Sequence, residues 1–90
     1  MLQRNESVMW RELAGEAVLL DPVAGCSYNL NQTGTLIWKL LDGQHSIHDI
    51  TTVLSSTYAA AYEQVAKDVE QVLADLRENN LLNDTQSSVL

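Results

Sequence analysis

The sequence predicts an α+β domain in which three short antiparallel strands are followed by three helices, and three observations lead there. Residues 8–13 (VMWREL) and 16–21 (EAVLLD) are rich in strand formers and separated only by Ala14-Gly15, a spacing that reads as a tight hairpin. In residues 26–30, Cys26, Tyr28 and Leu30 alternate with Ser27 and Asn29, so a strand there sends the first three to one face. Beyond residue 31 the apolar period lengthens from two to between three and four, which is the spacing of an amphipathic helix.

Each element has its own local signals. Residues 1–7 are polar and are expected to form a flexible N-terminus. The segment Pro22-Val23-Ala24-Gly25 supplies the turn into the third strand. Asn31 suits a helix N-cap, since its short side-chain oxygen can accept from a free backbone N–H. Leu36, Ile37, Leu40 and Leu41 then recur at helical spacing with Trp38 beside them, and Asp42-Gly43 should close the helix. Ser46 and Asp49 resemble a capping box, with Asp in place of the longer Glu, ahead of a stripe of Ile47, Ile50, Leu54 and Tyr58. A break is expected near residues 59–61, where the apolar phase shifts. The third helix, from Tyr62 to about Asn79, carries Val65, Val69, Val72, Leu73 and Leu76 on one face, with Lys67, Glu70, Gln71, Arg77 and Glu78 elsewhere. Leu81-Leu82 should fold back onto the core, which places the domain at residues 8–82 and leaves 83–90 as a flexible tail. A small three-stranded sheet has one apolar face to bury, and these helices are the material that covers it.

Composition narrows the function. Ninety residues make one domain, and no apolar run approaches the roughly 20 residues of a membrane span. Residues 1–6 lack the basic-then-apolar order of a secretory signal, so a cytoplasmic location is the expectation. The formal net charge of −7 would repel nucleic-acid phosphates and points toward a protein or peptide partner. A single cysteine, Cys26, excludes an internal disulfide and reads as a small buried hydrophobe. His45 and His48 straddle a helix start with no Cys or carboxylate spaced to complete a metal site. Phosphate loops, nucleophile elbows and defensible Ser, His and Asp arrangements are also missing, so no enzyme, cofactor or metal is expected.

The order of elements, with the phrase VLLDPVAGCSYNLNQTGTLIWKLLDG followed by VAKDVEQVLADLRENNLL, resembles the PqqD family of proteins related to pyrroloquinoline quinone biosynthesis. The matching features span residues 8–82. They are Leu19-Leu20-Asp21-Pro22, Tyr28 two residues ahead of Leu30-Asn31, Thr33-Gly34 before a helix carrying Trp38, the stop Asp42-Gly43 and the closing Leu81-Leu82. The resemblance implies a winged-helix-like leader-peptide recognition element for ribosomally made, enzymatically modified peptides. In such elements the precursor's leader lies as an added strand along the third strand, in a groove walled by the third helix, and is presented to a modifying enzyme. Carried over, the peptide-binding residues are Cys26, Ser27, Tyr28, Asn29 and Leu30 on the strand, with Asp68, Val72 and Asp75 chosen as the flank of the helix beside its core stripe. The partner would be a radical enzyme or a cysteine-protease-like leader peptidase of a lasso-peptide system.

An exposed edge strand supports the same idea physically, because an extended peptide can satisfy its open N–H and C=O groups while alternate side chains enter pockets. Two other classes stand beside it. A structural subunit of a larger enzyme would not bind an isolated leader. A winged helix that binds DNA should carry a basic recognition helix, whereas the second and third helices hold Lys67 and Arg77 against Asp49, Glu63, Asp68, Glu70, Asp75 and Glu78.

Overall fold

The computed structural model describes residues 2–22 and 25–83. The middle of the expected turn at 22–25, the tail from 84 to 90 and the expected burial of the Cys26 side chain fall outside that description. The chain runs β1 (Gln3–Arg4), β2 (Met9–Leu13), β3 (Glu16–Asp21), β4 (Cys26–Asn29), α1 (Gln32–Leu40), α2 (Ile47–Tyr58), α3 (Tyr62–Glu78) and β5 (Leu82–Asn83). An antiparallel sheet in the order β2-β3-β4 is followed by three helices, the expected α+β arrangement.

The turn chemistry explains the sheet. Ala14 and Gly15 both take positive φ, 52° and 81°, which matches a two-residue turn whose twist suits the strands, and Leu13 pairs directly with Glu16 across it. Trp10, Leu19 and Tyr28 form one cross-strand row, and Glu12 and Ala17 precede Leu30 in the next. These rows face the helices: Ala17, Leu19 and Leu30 are buried together with Ile37, Trp38, Leu41, Ile50, Leu54, Val69, Leu73 and Leu76. Trp38, expected only beside the apolar stripe of α1, is fully buried and meets Trp10 edge-on at 6.3 Å between ring centroids.

Helix starts follow the sequence signals, but α1 stops at Leu40, short of the expected Asp42-Gly43: Leu41 is its C-cap, and Gly43, at positive φ, sends its N–H to the Leu2 carbonyl at 2.9 Å instead of closing the helix. The Asn31 side chain accepts from the Gly34 N–H at 2.8 Å, and Ser46 and Asp49 form the reciprocal capping box of α2. The Ser46 N–H holds the Asp49 carboxyl below the usual carboxylate range. Ala59 closes α2 in the left-handed conformation with no glycine present. Along α2, Ile50, Thr51 and Leu54 are buried, while Ile47 and Tyr58, expected in the stripe, are exposed where the helix runs past the core at both ends.

The N-terminus departs from expectation. Residues 2–5 are built into the fold: β1 pairs with β5, Leu2 is buried, the Arg4 N–H donates to the Leu41 carbonyl at 2.8 Å and the Asn5 N–H to the Leu81 carbonyl at 3.0 Å. Arg4 also donates through its guanidinium to the carbonyls of Trp38 and Lys39, satisfying the open end of α1, and lies over the rings of Trp10 and Trp38. Two residues of strand are too few to show a period, which is why composition alone suggested a loose end.

One hydroxyl joins sheet to helix. Ala17 pairs with Leu30, and the Leu30 N–H reaches the Ala17 carbonyl at 2.8 Å, but the return bond is replaced: the Ala17 N–H donates to Thr35 Oγ1 at 2.7 Å, and that hydroxyl lies 3.4 Å from the Leu30 carbonyl. Thr35→Val keeps the shape and strips the Ala17 N–H of its partner, so urea unfolding should show a loss of about 1–3 kcal/mol, with Thr35→Ser recovering most of it. In acid, the lowered pKa of Asp49 means its contribution is complete above the unfolded value near 4 and is lost as pH falls through the folded value. Asp49→Ala should therefore flatten the fall of stability with pH below about 4 in thermal melts.

Candidate functional site

Where the free hydrogen-bonding groups of β4 point is fixed by register. Leu13 and Glu16 flank a two-residue turn and form a hydrogen-bonded pair, so residues 13, 11 and 9 exchange bonds with 16, 18 and 20, and the alternate β3 residues 17, 19 and 21 turn toward β4. The Leu30 N–H bond to Ala17 gives the same phase from the other end. Tyr28 is consequently tied to Leu19, and Ser27 and Asn29 direct both N–H and C=O to the side where β4 has no neighbour in the sheet. The open edge thus offers two residues, each with one donor and one acceptor.

Beside that edge lies a cleft of about 160 Å³ lined by Tyr28, Asn29, Leu30, Asn31, Gly34, Val72 and Asp75. Strand, helix start and α3 converge on it for separate reasons. Alternation puts Tyr28 and Leu30 on the helix side, and the turn from strand into α1 brings Asn31 and Gly34 beneath them. Gly34 keeps the floor low: a Cβ there would lie 3.3 Å from Leu30 Cδ2 and 3.3 Å from Asn31 Oδ1. From α3, Val72 and Asp75 form the far wall, both half-buried at the margin of the core stripe. The Asp75 carboxylate accepts from Gln71 Nε2 at 3.2 Å and remains partly open to solvent. Apolar at Tyr28, Leu30 and Val72 and polar at its rim, the cleft suits one side chain of an extended peptide paired to β4.

Of the residues singled out from the sequence, Tyr28, Asn29, Leu30, Val72 and Asp75 come together here. Ser27 contributes at the edge through its backbone, with its side chain in the row of Leu20 on the opposite face. Asp68 is exposed and is not among the residues lining the cleft, so of the three on α3 the geometry joins Val72 and Asp75 alone. Asn31 and Gly34 went unnoticed as site residues because they carry clear structural signals of their own, a cap and a first-turn glycine.

Larger concavities lie elsewhere. One of about 240 Å³ between the N-terminal segment and β2 is bordered by Arg4, Glu6, Trp10, Trp38 and Asp42, and the Arg4 guanidinium sits over both indoles there. Its charged rim and the N-terminal segment along that side suit it less to an added strand than the cleft at β4. His45 pairs with Asp42 at 2.9 Å and His48 with the Tyr62 hydroxyl at 2.7 Å, and among the described residues no cluster of His, Cys, Asp and Glu could hold a metal. No helix is long and apolar enough to cross a membrane among the described residues.

Comparison with known proteins bears on the family and the fold. A family model described as coenzyme PQQ synthesis protein D (PqqD) matches residues 16–82. A PqqA binding protein of Gluconobacter oxydans (strain 621H) is 40% identical over 47 residues, which cover 52% of this chain. The match takes in 49% of that protein, so the chain spans about half the length of the curated relative it matches. Among solved structures, a lasso peptide synthetase B1 complexed with its leader peptide superposes with a TM-score of 0.83 at 25% identity, covering 92% of this chain and 98% of its own. The PqqD portion of Methylobacterium extorquens PqqCD, described as a stand-alone recognition element for ribosomally synthesised and modified peptides, superposes with a TM-score of 0.76 at 25% identity, covering 92% of this chain and 88% of its own.

The two positions at the heart of the edge should respond oppositely to loss of their N–H. Tyr28→Pro removes a donor tied to β3 and should lower stability by about 1–3 kcal/mol beyond the Tyr28→Ala control, which accounts for the lost ring. Ser27→Pro removes a donor that faces outward and should leave thermal unfolding nearly unchanged.

Proposed function

Because the chain belongs to the PqqD family, we propose that it is a leader-peptide recognition protein without catalysis of its own, which captures the leader of a ribosomally made precursor as a fourth strand along β4 and presents it to a modifying enzyme. The observation that carries this reading is the juxtaposition of the outward backbone groups of Ser27 and Asn29 with the cleft between Tyr28, Leu30 and Val72. Main-chain pairing supplies part of the affinity, and the cleft selects the side chain that enters it. The relatives named for binding PqqA or solved with a lasso leader support the same role, and the enzyme in this proposal is a radical enzyme or a cysteine-protease-like leader peptidase.

Charge bears on selectivity. Asp75 at the rim, in a chain of net charge −7, favours a neutral or basic leader segment over an acidic one. The same acidity on α2 and α3 disfavours the DNA-binding use of a winged helix. As a proposal about this chain, a cytoplasmic site of action follows from substrates made on the ribosome.

The test is calorimetric titration of the purified protein with synthetic leaders of the two kinds its relatives bind, PqqA and a lasso-precursor leader. Val72→Arg should weaken binding at least tenfold, about 1.4 kcal/mol, by placing a long charged side chain on the apolar wall. Ser27→Pro should weaken binding roughly two- to tenfold in a folded protein, the worth of the one main-chain bond it removes, whereas Asp68→Ala should bind as the parent does. Unchanged affinity in folded Val72→Arg and Ser27→Pro would remove the leader from this edge.

A further inference from the structure

The face of the sheet turned away from the helices is bare. Its cross-strand rows are Met9, Leu20 and Ser27, then Arg11, Val18 and Asn29, then Leu13 and Glu16. Met9 is 63% exposed, Leu13 60% and Leu20 46%, and with Val18, Arg11 and the margin of Trp10 they line a shallow depression of about 350 Å³. No salt bridge or hydrogen bond within the described residues holds the Arg11 guanidinium. A contiguous apolar patch of this kind on a small soluble domain marks a contact surface.

We propose that this outer face, completed by the bound leader, is where the modifying enzyme docks through an apolar patch carrying a carboxylate for Arg11, so that the enzyme engages the domain tightly only when a leader is in place. The proposal rests on the reading of β4 as the leader strand. Continuity comes first: a peptide paired to Ser27 and Asn29 places the residues opposite them on the same face as those two side chains, so one lengthens the row of Met9, Leu20 and Ser27 and the next the row of Arg11, Val18 and Asn29. The leader residues between them turn inward to Tyr28 and the cleft. Peptide and domain then present one four-stranded outer surface.

Size argues that neither part suffices. A stable interface takes about 800 Å² and 20–30 residues from each partner, well beyond the six side chains around this depression. A partner that seats on it must take in neighbouring surface, and toward β4 that surface is the leader's outward side chains. Charge argues against a second copy of this chain as the occupant, since each copy carries a net charge of −7 and a face-to-face pair would bring the two Arg11 side chains to the same patch. By linkage, the enzyme must tighten leader binding by the same factor as the leader tightens enzyme binding.

The experiment uses this chain, whichever of the PqqA or lasso-precursor leaders it binds, and the modifying enzyme of that leader's pathway. Two variants on β2, two strands from the leader, are Met9→Glu/Leu13→Glu and Arg11→Glu, with circular dichroism to confirm the fold; the single change keeps the test open if the double one unfolds. For the parent chain, saturating leader should improve affinity for the enzyme at least tenfold. Both variants should bind the leader alone within twofold of the parent and lose most of that tenfold gain, together with the reciprocal tightening of the leader by the enzyme. Enzyme binding indifferent to the leader, or parental coupling in both variants, would overturn the proposal. So would reversible dimerisation of the parent in sedimentation that the variants abolish, which would assign the face to a second copy. Absence of leader binding by the parent chain alone is a different result, because it removes the leader reading itself.

Discussion

The threonine hydroxyl between Ala17 and Leu30 is the contact on which the site depends. An antiparallel pair would ordinarily exchange two backbone bonds at this position, and here one of them passes through Thr35 Oγ1 on the first turn of α1. The sheet end is thereby fastened to the helix beneath it without leaving the buried Ala17 N–H unpaired. Leu30 stays buried under that clasp, Asn31 caps α1 immediately after, and any side chain at Gly34 would crowd Leu30, its Cβ lying 3.3 Å from Leu30 Cδ2. Strand end, cap, glycine and hydroxyl thus fall close together in the chain, at Leu30, Asn31, Gly34 and Thr35, and the cleft is what remains between them and α3.

Much of this was legible in the residues because the signals were local. A two-residue Ala14-Gly15 turn, an Asn31 cap, a Ser46 and Asp49 capping box and the apolar stripe of α3 each act within a few residues, and each stands where expected. What failed to show was set by long-range partners. Residues 2–5 are held by Leu41, Leu81 and β5, far along the chain, and no pattern within the segment announces them. Helical periodicity likewise located the flank of α3 but could not say how far along it the cleft extends. Asp68 and Val72 lie one turn apart, and only the place where α3 passes Leu30 and Gly34 separates them.

The sheet has two open edges, and the structure treats them differently. On β2 the outward groups belong to Trp10 and Glu12, since 9, 11 and 13 bond to β3. Trp10 there lies beneath the Arg4 guanidinium and meets Trp38 edge-on, and Glu12 is paired with Lys39 of α1, so the side chains along that edge are committed to intramolecular contacts. Along β4, by contrast, Ser27 and Asn29 are small and polar, with no ring or ion pair over them, and a cleft opens on the helix side. An edge left free with no lysine, proline or bulge to blunt it is a hazard in a protein that has no use for it.

Shortness limits that hazard and would shape the proposed recognition. Two outward residues allow at most four backbone bonds to an incoming strand, each worth about 0.5–1.5 kcal/mol net, against an ordering cost of about 1–2 kcal/mol per immobilised residue. Main-chain pairing on its own therefore barely offsets the entropy it consumes, and an arbitrary extended peptide gains little by binding. The surplus that makes a specific complex has to come from side chains, inward to the cleft of Tyr28, Leu30 and Val72 or outward over the sheet face. In the proposed complex, a four-residue edge strand beside a single-residue cleft would accordingly be selective where a longer edge would be adhesive.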